Sequence, residues 1–153
     1  MATKTVDPVA LLKEDHENVQ KLFDRFEQAK SDSPKIKAAR QAIQELKIHA
    51  AIEEEIFYPA FDAEAEEDEA HELYLEAREE HHVVHVLIGE LESLPDDDER
   101  FQAKFMVLAE NVRHHIKEEE SEMLPKAKKL GKERLEELGE QMLARKKEMA
   151  GRS

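Results

Sequence analysis

The chain has no cysteine and no tryptophan. Without cysteine there is no disulfide, no thiolate ligand and no thiol nucleophile, a composition compatible with a reducing cytosol. Without tryptophan, and with aromatics at only 5%, the core has to be aliphatic with six Phe among it. Glycine and proline are scarce, 4 and 5 in 153 residues, while charged residues reach 39%. That balance disfavours a turn-rich β architecture and points to an all-α protein with solvated outer faces. No apolar run approaches the roughly 20 residues that span a bilayer. Residues 1–7 show no apolar stretch of the kind a signal peptide carries, so a cytoplasmic, non-membrane protein is expected. Excess positive charge is missing too: 37 acidic against 23 basic side chains leave a formal charge of −14. Nucleic acid is therefore an unfavourable partner, since phosphate contacts need a basic face. The length suits one packed domain, 1–153.

What is present is a regular apolar rhythm. Asp7-Pro8 reads as a helix start, an acid at the N-cap and proline at the first helical position. Val9, Leu12, His16, Val19, Phe23 and Phe26 then follow in steps of 3 and 4, the seam of a bundle helix. Ser31 to Pro34 breaks it, and Ser33-Pro34 restarts a second helix carrying Ile36, Ala39, Ile43, Leu46, Ala50, Glu53, Phe57 and Ala60. Pro59 is expected to kink or end that helix. Asp62 to Glu69 reads as a turn or a frayed helical end. A third helix runs through Ala70, Tyr74, Ala77, His81, Val84, Ile88 and Leu91 to about Pro95. Asp96 to Asp98 cap a fourth, with Phe101, Phe105, Leu108, Val112, His115 and Glu119 inward, and Pro125 ends or bends it. Gly131 separates a short extra C-terminal helix, 131–150, expected on the outside of the bundle or against a partner. Short connections make neighbours antiparallel, so residues 8–126 form an up-down-up-down four-helix bundle.

Inside that rhythm sits a repeat. His16 is followed 33 residues later by His49, and His81 is followed 34 residues later by His115. Each second histidine is followed four residues on by a glutamate, Glu53 or Glu119, and ten on by a proline, Pro59 or Pro125. Counting from the connections at ~1.5 Å per residue, all four helices place a histidine at a similar depth. Every seam then has a polar residue where an apolar one belongs. An unpaired buried carboxylate costs several kcal/mol or changes its pKa, so two of them among histidines call for a cation. His85, one turn beyond His81 on the same face, joins the candidate set; Gln20 stands at the matching place in the first copy, which makes the site unequal. The candidate metal ligands are His16, His49, Glu53, His81, His85, His115 and Glu119. His82 and His114 fall off the seam, and His71 is ~15 Å along the helix from His81. The outward members of the runs Glu53 to Glu55, Glu79-Glu80 and Glu118 to Glu120 read as solvated surface.

These blocks resemble the hemerythrin-like proteins of the HHE cation-binding family: His16, the His49-x-x-x-Glu53-Glu54 block before Pro59, His81 with His85, and the His115-x-x-x-Glu119-Glu120 block before Pro125. The resemblance covers about residues 8–126. It implies a four-helix bundle around two iron ions joined by an oxo or hydroxo bridge. By that resemblance His81, His85 and His115 hold one iron, His16 and His49 the other, and Glu53 and Glu119 bridge them. Imidazole and carboxylate donors also suit manganese or zinc. A ferritin-like site would need two Glu-x-x-His motifs, and only Glu79-x-x-His82 has that spacing. The expected function is binding of O2, peroxide or nitric oxide for storage, transport or sensing. The alternative is a di-iron enzyme of catalase or peroxidase type, or one handling nitric oxide. A sensing role is expected to act through the C-terminal helix or through a redox or signalling partner.

Overall fold

The computed structural model of the chain describes residues 6–65 and 68–151. The sequence expectations that fall on residues 1–5, Glu66 and Glu67 lie outside the described residues. Among the described residues there are seven α-helical segments and no strand. They are α1 (Pro8–Gln28), α2 (Asp32–Ile52), α3 (Tyr58–Glu64), α4 (Asp68–Ser93), α5 (Glu99–Glu118), α6 (Leu124–Ala127) and α7 (Lys132–Ala150). A π-helical turn, Glu53–Phe57, joins α2 to α3, and a second, Glu119–Met123, joins α5 to α6. The result is the four-helix bundle with an added C-terminal helix. No described helix is long and apolar enough to cross a membrane.

The helix ends follow local chemistry. Asp7 caps α1 through its carboxylate, which accepts from the Val9 N–H at 3.0 Å, with Pro8 at the first helical position. Asp98 does the same for α5, accepting from Arg100 N–H at 2.9 Å. The second helix starts at Asp32, before Pro34 rather than at it. Pro34 fits inside the first turn because the N–H groups there have no helical partner to lose. Neither Pro59 nor Pro125 ends its helix. Each lacks an N–H and crowds the carbonyl four residues back, and the chain answers with a wider turn: Tyr58 donates to Glu53 O and Leu124 to Glu119 O, both five residues back.

Two apolar clusters fill the bundle. One, toward the α1–α2 and α4–α5 connections, includes Phe23, Phe26, Phe101 and Phe105, with the Phe23 and Phe105 rings edge to face at 5.7 Å. Arg40 ties that end together by donating to Leu91 O and Leu94 O. The other includes Leu12, Phe57, Tyr58, Phe61 and Leu124, and takes in Leu138 and Met142 of α7. So α7 packs on α1, α2 and the first π turn rather than projecting from the bundle. The buried polar side chains lie between the two clusters, and they are His16, Glu53, His81, His115 and Glu119.

Candidate metal centre

Each helix of the bundle delivers one imidazole to the centre, and the four rings are built alike. The Nδ1 atom of each meets a carboxylate: His16 with Glu120 at 2.6 Å, His49 with Asp15 at 2.9 Å, His81 with Glu54 at 2.7 Å, His115 with Glu80 at 2.7 Å. The partner is always on another helical rod, so each acid locks a ring that its own helix does not carry. With Nδ1 so engaged, Nε2 is left to face inward. There it meets the two buried glutamates. Glu53 Oε1 lies 3.0 Å from His49 Nε2 and 3.3 Å from His81 Nε2. Glu119 reaches His16 Nε2 with one oxygen and His115 Nε2 with the other, both at 3.1 Å. Each glutamate therefore spans both halves of the repeat.

These approaches are too poorly aimed to be a finished hydrogen-bond network. His16 Nε2, His49 Nε2, both Glu53 oxygens and Glu119 Oε1 are buried and have no hydrogen-bond partner. Buried polar atoms are nearly always satisfied. Orphaned ligand atoms converging on one point from three helical rods are what a bound cation would satisfy. The ligand atoms of His16, His49, Glu53 and Glu119 lie within 4.8 Å of one another, as do those of Glu53, His81 and His115. The residues present thus fit two cation positions side by side, with Glu53 common to both groups.

Sequence reasoning missed Tyr58. Its hydroxyl donates to Glu119 Oε2 at 2.5 Å and lies 3.1 Å from His81 Nε2 and 3.0 Å from His115 Nε2. In an unbroken α-helix Tyr58 would point about 140° away from Glu53. The π turn between them brings both to the same face. In the second copy the same turn brings Leu124 inward, so the phenol serves only the His81–His115 half. The repeated proline was the available signal: a proline beside a ligand helix that does not stop marks a register change.

The structure brings six of the seven expected ligands into these two groups, and sets His85 with Glu54 and His81 in a third whose ligand atoms also lie within 4.8 Å of one another. The His85 ring is 47% exposed and turned outward, with Nε2 held by Glu54 at 2.7 Å. Glu54, whose Oε2 also meets His81 Nδ1, gives the outward imidazole its partner. One correction concerns the flanking acids. Glu54, Glu80 and Glu120, read as surface, are the partners that orient the rings, as is Asp15. His114 and His71 are exposed, at 65% and 61%, and paired with Glu118 and Asp62.

The electrostatics follow from this crowding. Burial opposes charge on His49, but the Glu53 carboxylate and the Asp15 hydrogen bond outweigh it and raise its pKa to about 10. His81 and His115 are also raised, because the adjacent carboxylates of Glu53 and Glu54, and of Glu119 and Glu80, outweigh the cost of burial. Burial would raise Glu54, yet hydrogen bonds from His81 and His85 lower it to about 2. Burial and the Glu119 and Glu53 charges push Tyr58 well above its ordinary value, so without a cation it stays a neutral donor.

Beside the rings lies a cavity of about 290 Å³. All four histidines line it, and so do Val19, Leu46, Val84 and Val112, each three residues from one of them. It lies toward the Phe-rich cluster, away from Tyr58. Asp15, Glu45 and Lys146 line its polar side.

A family model described as the hemerythrin HHE cation-binding domain matches residues 7–127. The chain belongs to that family. A crystal structure of an HHE cation-binding domain-containing protein from Mycobacterium kansasii resembles this HHE domain with a TM-score of 0.79 at 28% identity, over 95% of this chain and 88% of that one. No match is found among curated proteins. Cation binding is thus a property of the family, and in this HHE domain the His/Glu groups that would serve it are the ones just described.

Proposed function

We propose that the chain is a non-haem di-iron protein that works on a small oxidant, with hydrogen peroxide as its principal reactant. The observation that carries this reading is the Tyr58 hydroxyl among the inward-facing atoms of His81, His115 and Glu119. A phenolate is a hard anionic donor, and it favours a ferric ion over a ferrous one. A reversible oxygen carrier has to rest with both ions ferrous, which this donor opposes. His16 and His49 would hold one ion, His81, His115 and Tyr58 the other, with Glu53 and Glu119 between them. Bound there, an iron pair supplies two-electron redox chemistry.

The chain's own part is positional. Asp15, Glu54, Glu80 and Glu120 fix the four rings so that Nε2 points inward, and the two buried glutamates hold both halves in register. The cavity gives a small oxidant an approach along aliphatic walls that limit water. Two peroxides would leave as two waters and one dioxygen. The test is to load the chain with ferrous iron without air and then add hydrogen peroxide under an oxygen electrode. Sustained oxygen release at half the peroxide consumed is the expected result. No sustained release, together with a reversible oxy spectrum on exposure to O2, would return the chain to the carriers.

A further inference from the structure

We propose that the cavity beside the four histidines binds the hydrocarbon part of a small, uncharged organic hydroperoxide. This rests on the peroxide reading above and names a second substrate class for the same site. Size is the first observation. A cavity of about 290 Å³ is far more than hydrogen peroxide or dioxygen fills; an apolar cavity roughly half as large, about 150 Å³, holds benzene in another protein. A space made only for diatomic ligands would be closed by larger side chains.

The lining is the second observation. Val19, Leu46, Val84 and Val112 sit one helical turn from the four ligand histidines, and Ala50 and Ile116 complete an aliphatic wall. An alkyl or aryl group against that wall leaves an attached O–O group beside the rings. Charge is the third. The polar side carries Asp15, Glu45 and Lys146, and the lysine is already held by Asp15 at 2.5 Å. No cation is left there for a carboxylate tail, and the chain as a whole is at −14, so an anionic lipid peroxide is disfavoured and a neutral one accepted. Finally, Lys146 and Ala150 come from α7, beyond the residues 7–127 that the family model spans. That part of the wall lies outside the span of the family model.

In the reaction, the O–O bond of the organic hydroperoxide breaks. Its inner oxygen stays on carbon as an alcohol, and its outer oxygen leaves as water. The two electrons and two protons come from one hydrogen peroxide, which is oxidised to dioxygen.

Binding is tested apart from turnover. Cumyl alcohol is uncharged, has the hydrocarbon of cumene hydroperoxide and lacks the O–O bond. Titrated calorimetrically into the iron-loaded full chain, it should bind saturably, one per chain. Val112→Phe fills the cavity and should weaken binding by at least about tenfold, the order of a lost pocket contact. Val84→Phe, at a half-buried position, gives the same reading if Val112→Phe does not fold. Cumene hydroperoxide with hydrogen peroxide should yield cumyl alcohol and dioxygen. No saturable binding, or binding equally strong in the filled variants, overturns the proposal. A chain that consumes hydrogen peroxide but binds no cumyl alcohol keeps the function above and loses this one. A chain that binds cumyl alcohol yet consumes neither peroxide keeps the site and loses the peroxide reading.

Discussion

Taking the metal-free chain from mildly acid to alkaline pH should destabilise it, and the structure gives the sign and scale. His49, His81 and His115 each have a carboxylate at both ring nitrogens, so in the absence of metal each is favoured as the imidazolium. Their folded-state pKa values lie above the ordinary 6.5, for His49 at about 10. A group raised on folding stabilises fully below its unfolded pKa and loses that contribution as pH rises toward the folded one. At ~1.4 kcal/mol per unit, His49 alone could lose on the order of 5 kcal/mol over its whole window, and about 3 kcal/mol between pH 6.5 and about 8.5. This is an upper bound, because the rings share Glu53 and Glu119 and the first proton lost eases retention of the others. For a domain of this size, about 3 kcal/mol corresponds to a fall of roughly 6–12 °C in melting temperature. Glu54 works in the other direction: lowered to about 2, it stabilises above its ordinary value and is lost as pH falls. The metal-free optimum therefore lies between about pH 4.5 and 6.5.

A bound cation takes the place of the Nε2 protons. The alkaline loss should then disappear, the gap between loaded and metal-free melting temperatures should widen from pH 6.5 to about 8.5, and metal uptake near neutrality should release protons. Circular-dichroism melts of both forms across that range, with a pH indicator in weak buffer for the protons, measure all three. A metal-free melting temperature that stays level or rises over the range would refute the paired-imidazolium reading of the centre.

Three further outcomes follow from named contacts. His85→Ala should leave metal content unchanged, since its ring is turned out to Glu54, whereas His115→Ala should lose at least one equivalent; elemental analysis of both after iron loading decides it. Tyr58→Phe should keep the fold while costing about 1–3 kcal/mol in the metal-free chain, the cost of an unmet buried acceptor at Glu119. The loaded variant should lose the visible phenolate-to-metal band; a band left intact means the phenol is not a ligand. Gly139→Ala should destabilise by about 1–3 kcal/mol, because a Cβ there would meet Val6 O at 2.0 Å, and an unchanged melt would mean the segment before α1 does not pack on α7 in solution.

Six inward residues were legible because an α-helical period of 3.6 sends His16, His49, Glu53, His81, His115 and Glu119 to the same side as their aliphatic neighbours. Tyr58 was missed because the π turn after Glu53 shifts every later residue around the axis, so a phenol that α periodicity sets about 140° from Glu53 arrives among the inward atoms. The acids on Nδ1 were illegible for another reason. Asp15 serves a ring on α2 and Glu80 one on α5, while Glu54 and Glu120 reach rings on α4 and α1. A contact between rods leaves no spacing within either segment. Its trace is only that an acid precedes His16 and His81 and a second Glu follows Glu53 and Glu119 in both copies.

The repeat makes two half-sites, and two departures make them unequal. On one side Tyr58 stands where the other copy has the buried Leu124, so the His81–His115 pair alone gains an oxygen donor. Around the rim, α7 lays Lys146 against Asp15, whose counterpart Glu80 has His114 and Glu118 nearby instead. Asp15 is thereby shared between lysine and imidazole. The His81–His115 half has the phenol in addition to its imidazoles, and on the proposed di-iron reading it would suit the ion of higher charge. On the same reading, the His16–His49 half, which lacks the phenol, would be the one to keep a position open for an incoming oxidant.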